Sequence, residues 1–231
     1  MARSTRLWRS LAIGGSLALV LSACGGGDEE TAEPTDTPEA TDEAGGSATG
    51  DGTLTIGTLL PETGSLAFLG PPEFAGVNLA VQEINEAGGV NGNDVVQIDT
   101  DSGDTTTNIA QQSVDSLISQ DADAVIGAAS SSVSLSVIDK ITGAGIVQVS
   151  PANTSTAFTD YDDDGLYWRT APSDVLQGRV LGDAVLLDGY QNIAIMALQD
   201  AYGETLVEQA TQAIEDGGGT IVFQEFYDPK A

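Results

Sequence analysis

The chain has 231 residues, a formal net charge of −28, no histidine and one cysteine. Its length predicts one domain or one and a half, and its charge excludes nucleic-acid binding because phosphate backbones repel it. The missing imidazole excludes His-dependent catalysis, the single thiol excludes an internal disulfide, and 41% apolar residues suffice for a core.

The N-terminus resembles a secretion signal that ends in a lipid-attachment site. Three arginines among the first nine residues form a basic region, and the apolar run over 11–21 is too short to cross a bilayer comfortably. Leu-Ser-Ala directly precedes Cys24, as in the bacterial lipobox. The resemblance implies that residues 1–23 are a lipoprotein signal peptide and that acyl chains on Cys24 anchor the protein in the lipid bilayer. An ordinary signal peptide with an incidental cysteine is the alternative.

Residues 24–52 predict an acidic, low-complexity tether. They carry nine acidic side chains among small residues and prolines, and they contain no aromatic residue. Such a segment cannot bury enough surface to offset its ordering entropy, and its like charges keep it extended. We expect it to hold the folded part away from the lipid surface.

From Thr53 onward, short apolar runs alternate with helical spacing. The runs predict strands over 54–60, 95–98, 124–126, 146–149, 166–169, 193–197 and 220–226. The helical spacing predicts helices over 73–87, 133–142, 174–188 and 203–215. Asp104 is expected to N-cap a further helix. The core-facing residues of that helix would be Ala110, Val114, Leu117 and Ile118. This alternation implies right-handed crossovers, and therefore an α/β fold with doubly wound parallel sheets.

Two loops rich in small residues and hydroxyl groups follow consecutive strands. Their sequences are Gly127-Ala-Ala-Ser-Ser-Ser132 and Ser150-Pro-Ala-Asn-Thr154. Ligands of parallel sheets bind outside the carboxyl ends of the strands, where helix N-termini point at them. The amides and hydroxyls of these loops suit a carboxylate. The residues alone leave a second interpretation open, in which the hydroxyls only cap helices and turns.

Motifs over residues 54–231 follow a specific order. They are Leu60-Pro-Glu-Thr-Gly-Ser65, Gly70, Gly76, Ala80 to Gly92, Asp99 to Asp104, Val125-Ile-Gly127, Ser150 to Thr154, Trp168-Arg-Thr170 with Asp174 and Gln177, and Tyr202-Gly203. Together they resemble the periplasmic binding protein type I family, in its leucine/isoleucine/valine-binding branch. The resemblance implies a first ligand-binding lobe over 53–170 and the start of a second lobe over 171–231. Because two such lobes need roughly 340 residues, we expect the chain to be a C-terminally truncated fragment.

The resemblance also implies a ligand site. It places Ser131, Ala152 and Thr154 against the ligand carboxylate, and it places Tyr202 over the ligand from the second lobe. Leu69 stands where the family often has an aromatic residue, which leaves the ligand open among an aliphatic amino acid, an amide and another small carboxylate. The family's acidic residue for the ligand ammonium group would lie beyond the last residue. Ser132, one position beyond the inferred contact, is expected to matter little for binding.

The function that the resemblance implies is that of an extracytoplasmic solute-binding receptor, without a cofactor and without enzymatic activity. Hinge closure between the lobes would capture a small amino-acid-like ligand and deliver it to an ABC permease in the membrane. The receptor would be secreted and lipid-anchored to the outer face of the bacterial cytoplasmic membrane. The alternative is a ligand-sensing module of a signalling system with the same fold. No carboxyl group lies at the end of a predicted strand with an apolar neighbourhood that would raise its pKa for acid catalysis, which argues against an enzyme.

An acidic segment fits the opening of a calcium loop. Asp160, Asp162 and Asp164 precede a glycine in the pattern D-x-D-x-D-G. Position twelve is Ala171 instead of the bidentate glutamate, and a predicted strand follows where a calcium-binding helix–loop–helix requires a helix. Two interpretations stay open, a structural calcium site and a solvated acidic turn.

Overall fold

Residues 50–228 of the chain are described by a computed structural model. The predicted signal peptide, Cys24 and the predicted tether as far as residue 49 lie outside the described residues. The elements in chain order are β1 (Thr55–Leu60), α1 (Gly70–Glu86), β2 (Val96–Asp101), α2 (Ile109–Ser119), β3 (Ala124–Gly127), α3 (Ser131–Gly143), β4 (Val147–Ser150), a 3-10 turn (Thr156–Phe158), β5 (Tyr167–Arg169), α4 (Asp174–Leu187), β6 (Asn192–Leu198), α5 (Ala201–Asp216) and β7 (Thr220–Tyr227).

The first five strands form one parallel sheet in the order β2-β1-β3-β4-β5. The chain runs outward from β1 to β2, crosses back to β3 on the other side of β1, and continues through β4 to β5. The order therefore reverses between β1 and β3, and ligands of open parallel sheets bind at such a reversal. This arrangement confirms the predicted doubly wound α/β fold.

The core of this sheet lies mainly against α2 and α3. Val114 and Leu117 of α2 are fully buried, as their spacing predicted, and Ile118 is half-buried against the same cluster. A side chain at Gly57 of β1 would collide with Leu117, so the glycine lets α2 pack directly on the central strand. The core holds the strands rigid, and their carboxyl ends keep fixed relative positions.

Two predicted helix starts were wrong. Asp104 does not cap α2, which begins at Ile109, because its carboxylate instead accepts hydrogen bonds from the amides of Ser65 (3.3 Å) and Thr106 (3.0 Å). Helix α1 begins three residues earlier than its apolar spacing predicted. Two prolines occupy its first turn, where the missing N–H groups cost no intrahelical hydrogen bond.

The second sheet consists of β6 and β7, which pair in parallel. Helix α5 packs on both strands, and its buried side chains are Val207, Ala210 and Ile214. Helix α4 lies against α5, and its Gly178 and Gly182 allow the close approach. The chain crosses to this part between the end of β5 and the start of α4. None of the helices between residues 50 and 228 is long and apolar enough to span a lipid bilayer.

Candidate functional site

A cavity of about 520 Å³ lies between the carboxyl ends of the two sheets. We use "first lobe" for the part that carries β1–β5 and "second lobe" for the part that carries β6, β7, α4 and α5. The first lobe lines the cavity with Leu66, Leu69, Ala129, Ser130, Ser131 and Ala152, and the second with Met196, Ala197, Leu198, Asp200, Tyr202, Gly203, Leu206 and Tyr227. Four of the five predicted ligand contacts, Leu69, Ser131, Ala152 and Tyr202, therefore lie around one space.

Buried polar side chains fix the two hydroxyl-rich loops against each other. The Asn153 amide donates to the carbonyl oxygens of Ala128 (3.1 Å) and Ala129 (2.9 Å), and its Oδ1 accepts from the Tyr167 hydroxyl (2.8 Å). Ser150 Oγ donates to the same Ala128 carbonyl at 2.7 Å. A buried network with satisfied bonds is rigid, so the loops after β3 and β4 keep a common geometry without a ligand.

Ser131 is the first residue of α3 and lies at the cavity wall. Ser130 caps this helix by accepting from the Val133 amide at 3.4 Å. The Ser131 hydroxyl accepts from the Ser155 amide, also at 3.4 Å, which joins α3 to the loop after β4. The N-terminus of α3, with its positive dipole end, therefore lies at the cavity wall.

The second-lobe wall is the start of α5. Asp200 caps the helix, since its Oδ1 accepts from the Gly203 amide at 2.7 Å. A side chain at Gly203 would collide with the Leu198 carbonyl oxygen, so glycine brings α5 directly onto the end of β6. The Tyr202 hydroxyl accepts from Gln177 Nε2 at 3.1 Å, which holds the ring at the cavity wall. Two helix N-termini from opposite lobes thus lie at the wall of one cavity. The start of α3 favours an anion there, whereas the start of α5 already carries the carboxylate of Asp200.

Thr154 is the predicted contact that does not line the cavity. Its hydroxyl oxygen is buried and has no hydrogen-bond partner among the described residues. The same holds for Oδ1 of Asp174, a fully buried residue whose amide donates to the Thr154 carbonyl at 2.7 Å. Leaving a buried polar atom unpaired costs about 1–3 kcal/mol, and residues 50–228 supply no partner for the Thr154 hydroxyl.

Ser132 has a contact that the sequence did not predict. Its Oγ accepts a hydrogen bond of 2.9 Å from the backbone amide of Ala201, the first residue of α5. This bond joins the first lobe to the second across the cleft. The expectation that Ser132 matters little for binding therefore needs revision, because the residue contacts the element that carries Tyr202.

The loop after β1 reaches the cavity with Leu66 and Leu69, and Asp101 holds it in place. The carboxylate of Asp101 accepts from the amides of Glu62 (2.9 Å) and Thr63 (3.2 Å) and from the Thr63 hydroxyl. Burial acts to raise the pKa of Asp101, but these bonds and one from the Gly103 amide hold that pKa below its ordinary value. The ionised carboxylate of Asp101 thus holds the loop that brings Leu66 and Leu69 to the cavity wall.

Sequence reasoning missed much of the cavity wall. Met196 and Leu206 come from β6 and α5, and Tyr227 is the last residue of β7. Their apolar character predicted only that they belong to a strand or helix. Asp200, three residues before Gly203, carried the signal of a helix N-cap and could have been found.

The acidic segment after the 3-10 turn forms a hydrogen-bonded turn. The Gly165 amide donates to the carboxylate of Asp163 at 2.7 Å, and Asp163 is not one of the three residues of the calcium pattern. Trp168 Nε1 donates to the Gly165 carbonyl at 3.1 Å. Within residues 50–228, no three acidic, cysteine or histidine side chains converge as a metal site. The turn leads into a strand that begins at Tyr167, where a calcium-binding helix–loop–helix would require a helix.

Comparison with known proteins gives one family. A family model described as periplasmic binding protein matches residues 53–231. Leu/Ile/Val-binding protein homolog 3 of Brucella melitensis is 29% identical over 178 residues, which cover 76% of this chain and 48% of the relative. The chain thus spans about half the length of the curated relatives it matches.

Solved structures agree in fold. An ABC transporter substrate-binding protein from Desulfitobacterium hafniense, in complex with Leu, is 30% identical with a TM-score of 0.64, over 76% of this chain and 51% of that one. The branched-chain amino acid transporter substrate binding protein LivJ from Streptococcus pneumoniae, in complex with isoleucine, is 27% identical with a TM-score of 0.70. That match covers 78% of this chain and 51% of the other.

Proposed function

The chain belongs to the periplasmic binding protein family, and on that premise we propose that it is the ligand-binding part of an extracytoplasmic receptor for an ABC importer. Proteins of this family bind solutes and are not enzymes. The ligand in our proposal is a small amino acid with an aliphatic side chain, captured when the two lobes close over it. The observation that carries the proposal is the cavity between the lobes. The N-termini of α3 and α5 form one part of its wall, and apolar side chains form the remainder.

The carboxylate of the ligand would bind at the hydroxyl-rich loops. Ser131 and the backbone of Ala152 lie at the wall, and the unpartnered Thr154 hydroxyl lies in the same loop as Ala152. Neutral donors and a helix dipole stabilise an anion without a cation. We assign the carboxylate to Ser131, Ala152 and Thr154.

The aliphatic side chain would lie against the apolar part of the wall. Leu66 and Leu69 face this space from the first lobe, and Met196 and Leu206 face it from the second. A leucine-sized side chain gains about 1.5–3 kcal/mol from full burial. Leu69 in place of an aromatic ring leaves an aliphatic surface, and Tyr202 would cover the bound ligand. The relatives and solved structures that carry Leu, Ile or Val in their names support this ligand class.

Calorimetry tests the ligand assignment directly. The protein expressed from its complete reading frame should bind L-leucine, L-isoleucine or L-valine. Isoamylamine, which is leucine without its carboxylate, should fail to bind because the start of α3 and the hydroxyl-rich loops would have no anion to hold. Equal binding of leucine and isoamylamine would contradict the carboxylate assignment, and no binding of any of the three amino acids would contradict the ligand class.

The membrane partners follow from the proposed transport role. We propose that Cys24 is lipidated after removal of residues 1–23, that residues 24–52 act as the tether, and that an ABC permease recognises the closed receptor. Changing Cys24 to alanine should abolish incorporation of labelled palmitate, and equal labelling would contradict the anchor. Deletion of the gene should reduce uptake of the bound amino acid. Unchanged uptake together with a lost transcriptional response would indicate a sensing role instead.

A further inference from the structure

The contact between Ser132 and Ala201 is a direct polar bond across the ligand cleft. Ser132 is the second residue of α3 in the first lobe, and Ala201 is the first residue of α5 in the second. The Ala201 amide donates to Ser132 Oγ over 2.9 Å, although 69 positions separate the two residues. The bond exists only while the two helix N-termini face each other at this distance.

The bond gives the first amide of α5 an acceptor from the opposite lobe. The first amides of a helix have no intrahelical acceptor. Asp200 accepts from the Gly203 amide, and within the hydrogen bonds of residues 50–228 it is Ser132 that accepts from the Ala201 amide. The start of α5 is therefore capped partly from within its lobe and partly from the opposite lobe.

We propose that Ser132 is a latch residue, a positioning residue that stabilises the closed arrangement of the lobes without touching the ligand. Opening the cleft transfers the Ala201 amide to water, and closing it restores the bond. A single hydrogen bond of this kind changes a conformational ratio by about two- to tenfold. Because the apparent dissociation constant is inversely proportional to the closed fraction, ligand affinity depends on this bond by the same factor.

Ser132 and its neighbour Ser131 form different hydrogen bonds. Ser131 Oγ accepts from Ser155 within the first lobe, and this residue lines the cavity. Ser132 does not line the cavity, and its bond reaches the second lobe. Adjacent serines at the start of one helix therefore have different roles, one at the proposed ligand site and one in closure.

Hydrogen exchange of the ligand-free protein tests the latch. We compare wild type with Ser132→Ala, using the protein from its complete reading frame, and follow the segment 199–204. Exchange at the Ala201 amide should become about two- to tenfold faster in the variant. Ser132→Thr keeps the acceptor oxygen and should restore protection. Ser136→Ala is the matched control, since that exposed hydroxyl donates only to the Val133 carbonyl of its own helix. Equal exchange in wild type and Ser132→Ala would overturn the latch.

Ligand dissociation provides a second measurement, and this one rests on the proposed function. With L-leucine as the probe, Ser132→Ala should raise the dissociation rate about two- to tenfold, while the melting temperature and the exchange of the β1–β4 core stay unchanged. An unchanged dissociation rate would contradict the latch. Absence of leucine binding to the wild type would contradict the proposed ligand, and the exchange at Ala201 would still decide the latch.

Discussion

The backbone amide of Asp174 donates to the carbonyl oxygen of Thr154 over 2.7 Å, so the first turn of α4 is fastened to the loop after β4. Asp174 is fully buried, and its Oδ2 accepts from the hydroxyl of Thr205 in α5. Helix α5 also carries Tyr202 at its first turn. One residue thus connects the proposed carboxylate loop of the first lobe with the helix that closes the cavity from the second.

Removing the Thr205 hydroxyl should destabilise the protein. Thr205→Val keeps the side-chain shape but leaves both carboxyl oxygens of Asp174 without a partner in the described structure, which costs about 1–3 kcal/mol. Urea unfolding measures the loss. Thr211→Val is the control in the same helix, because the Thr211 hydroxyl is buried without a partner among the described residues and its removal should cost nothing. Equal destabilisation by both variants would contradict this role of Asp174.

Removing a proposed carboxylate contact should weaken ligand binding. A hydrogen bond to a charged group contributes about 1.5–3 kcal/mol, so Thr154→Val and Ser131→Ala should each weaken leucine binding about tenfold to a hundredfold. The stability of Thr154→Val should not fall, since its hydroxyl has no partner in the described chain. Calorimetry compares both variants with Ser136→Ala, which should bind as wild type. Unchanged affinity in Thr154→Val and Ser131→Ala would remove these residues from the site.

Asp101 should stabilise the protein at neutral pH and not in acid. The pKa of its carboxyl group is lower in the folded state than the ordinary value of 3.8, so the folded state binds fewer protons than the unfolded one around that pH. The contribution is present above about pH 4 and is lost as the pH falls through the lowered value. Asp101→Asn should therefore be less stable than wild type near neutrality, with a difference that shrinks on acidification. A difference independent of pH in urea titrations would contradict this.

Glu73 should have the opposite pH dependence. Burial raises the pKa of Glu73, and its Oε2 is buried without a partner among residues 50–228. The folded state then binds more protons than the unfolded one, so stability falls as the pH rises from the ordinary value of 4.5 through the raised one. Glu73→Gln should stabilise the protein at neutral pH and should change little below about pH 4. A destabilised variant at neutral pH would show that the ionised carboxylate is needed.

Added salt should stabilise the folded part because it screens the repulsion among the acidic side chains. From Thr53 to the C-terminus the chain has 26 acidic and four basic residues, a net charge of −22. The described ion pairs, Lys140 with Asp115 and Arg179 with Asp183, leave most of this charge unpaired. Raising salt from about 10 mM to about 1 M shortens the Debye length from about 30 Å to about 3 Å. The melting temperature should rise, and a flat or falling value would show that repulsion is not significant.

The sequence predicted the elements well because short-range patterns determine them. Buried Val114 and Leu117 had the spacing of a helix face, and the strands next to them were continuous apolar runs. The starts of α1 and α2 were exceptions, and Asp104 illustrates the reason. An aspartate before a helix pattern predicts a cap, but here its carboxylate binds the loop after β1. That partner comes from a distant part of the chain, so local spacing could not predict it.

The candidate site was only half predictable for the same reason. Ser131 and Ala152 follow strands of one sheet, so their meeting follows from the topology. Met196 and Tyr227 reach the cavity only because the second sheet lies opposite the first, and no residue pattern specifies that placement. The bond of Ser132 to Ala201 depends on this placement too.

Trp168 has a spectroscopic consequence. The 231 residues contain two tryptophans, Trp8 in the predicted signal peptide and Trp168, so Trp168 is the single tryptophan of residues 24–231. The residue is 62% exposed, and it lies in β5, shortly before the crossing to α4. Emission from Trp168 therefore reports on a point next to the connection between the lobes, and a movement there changes its wavelength or intensity without any introduced dye.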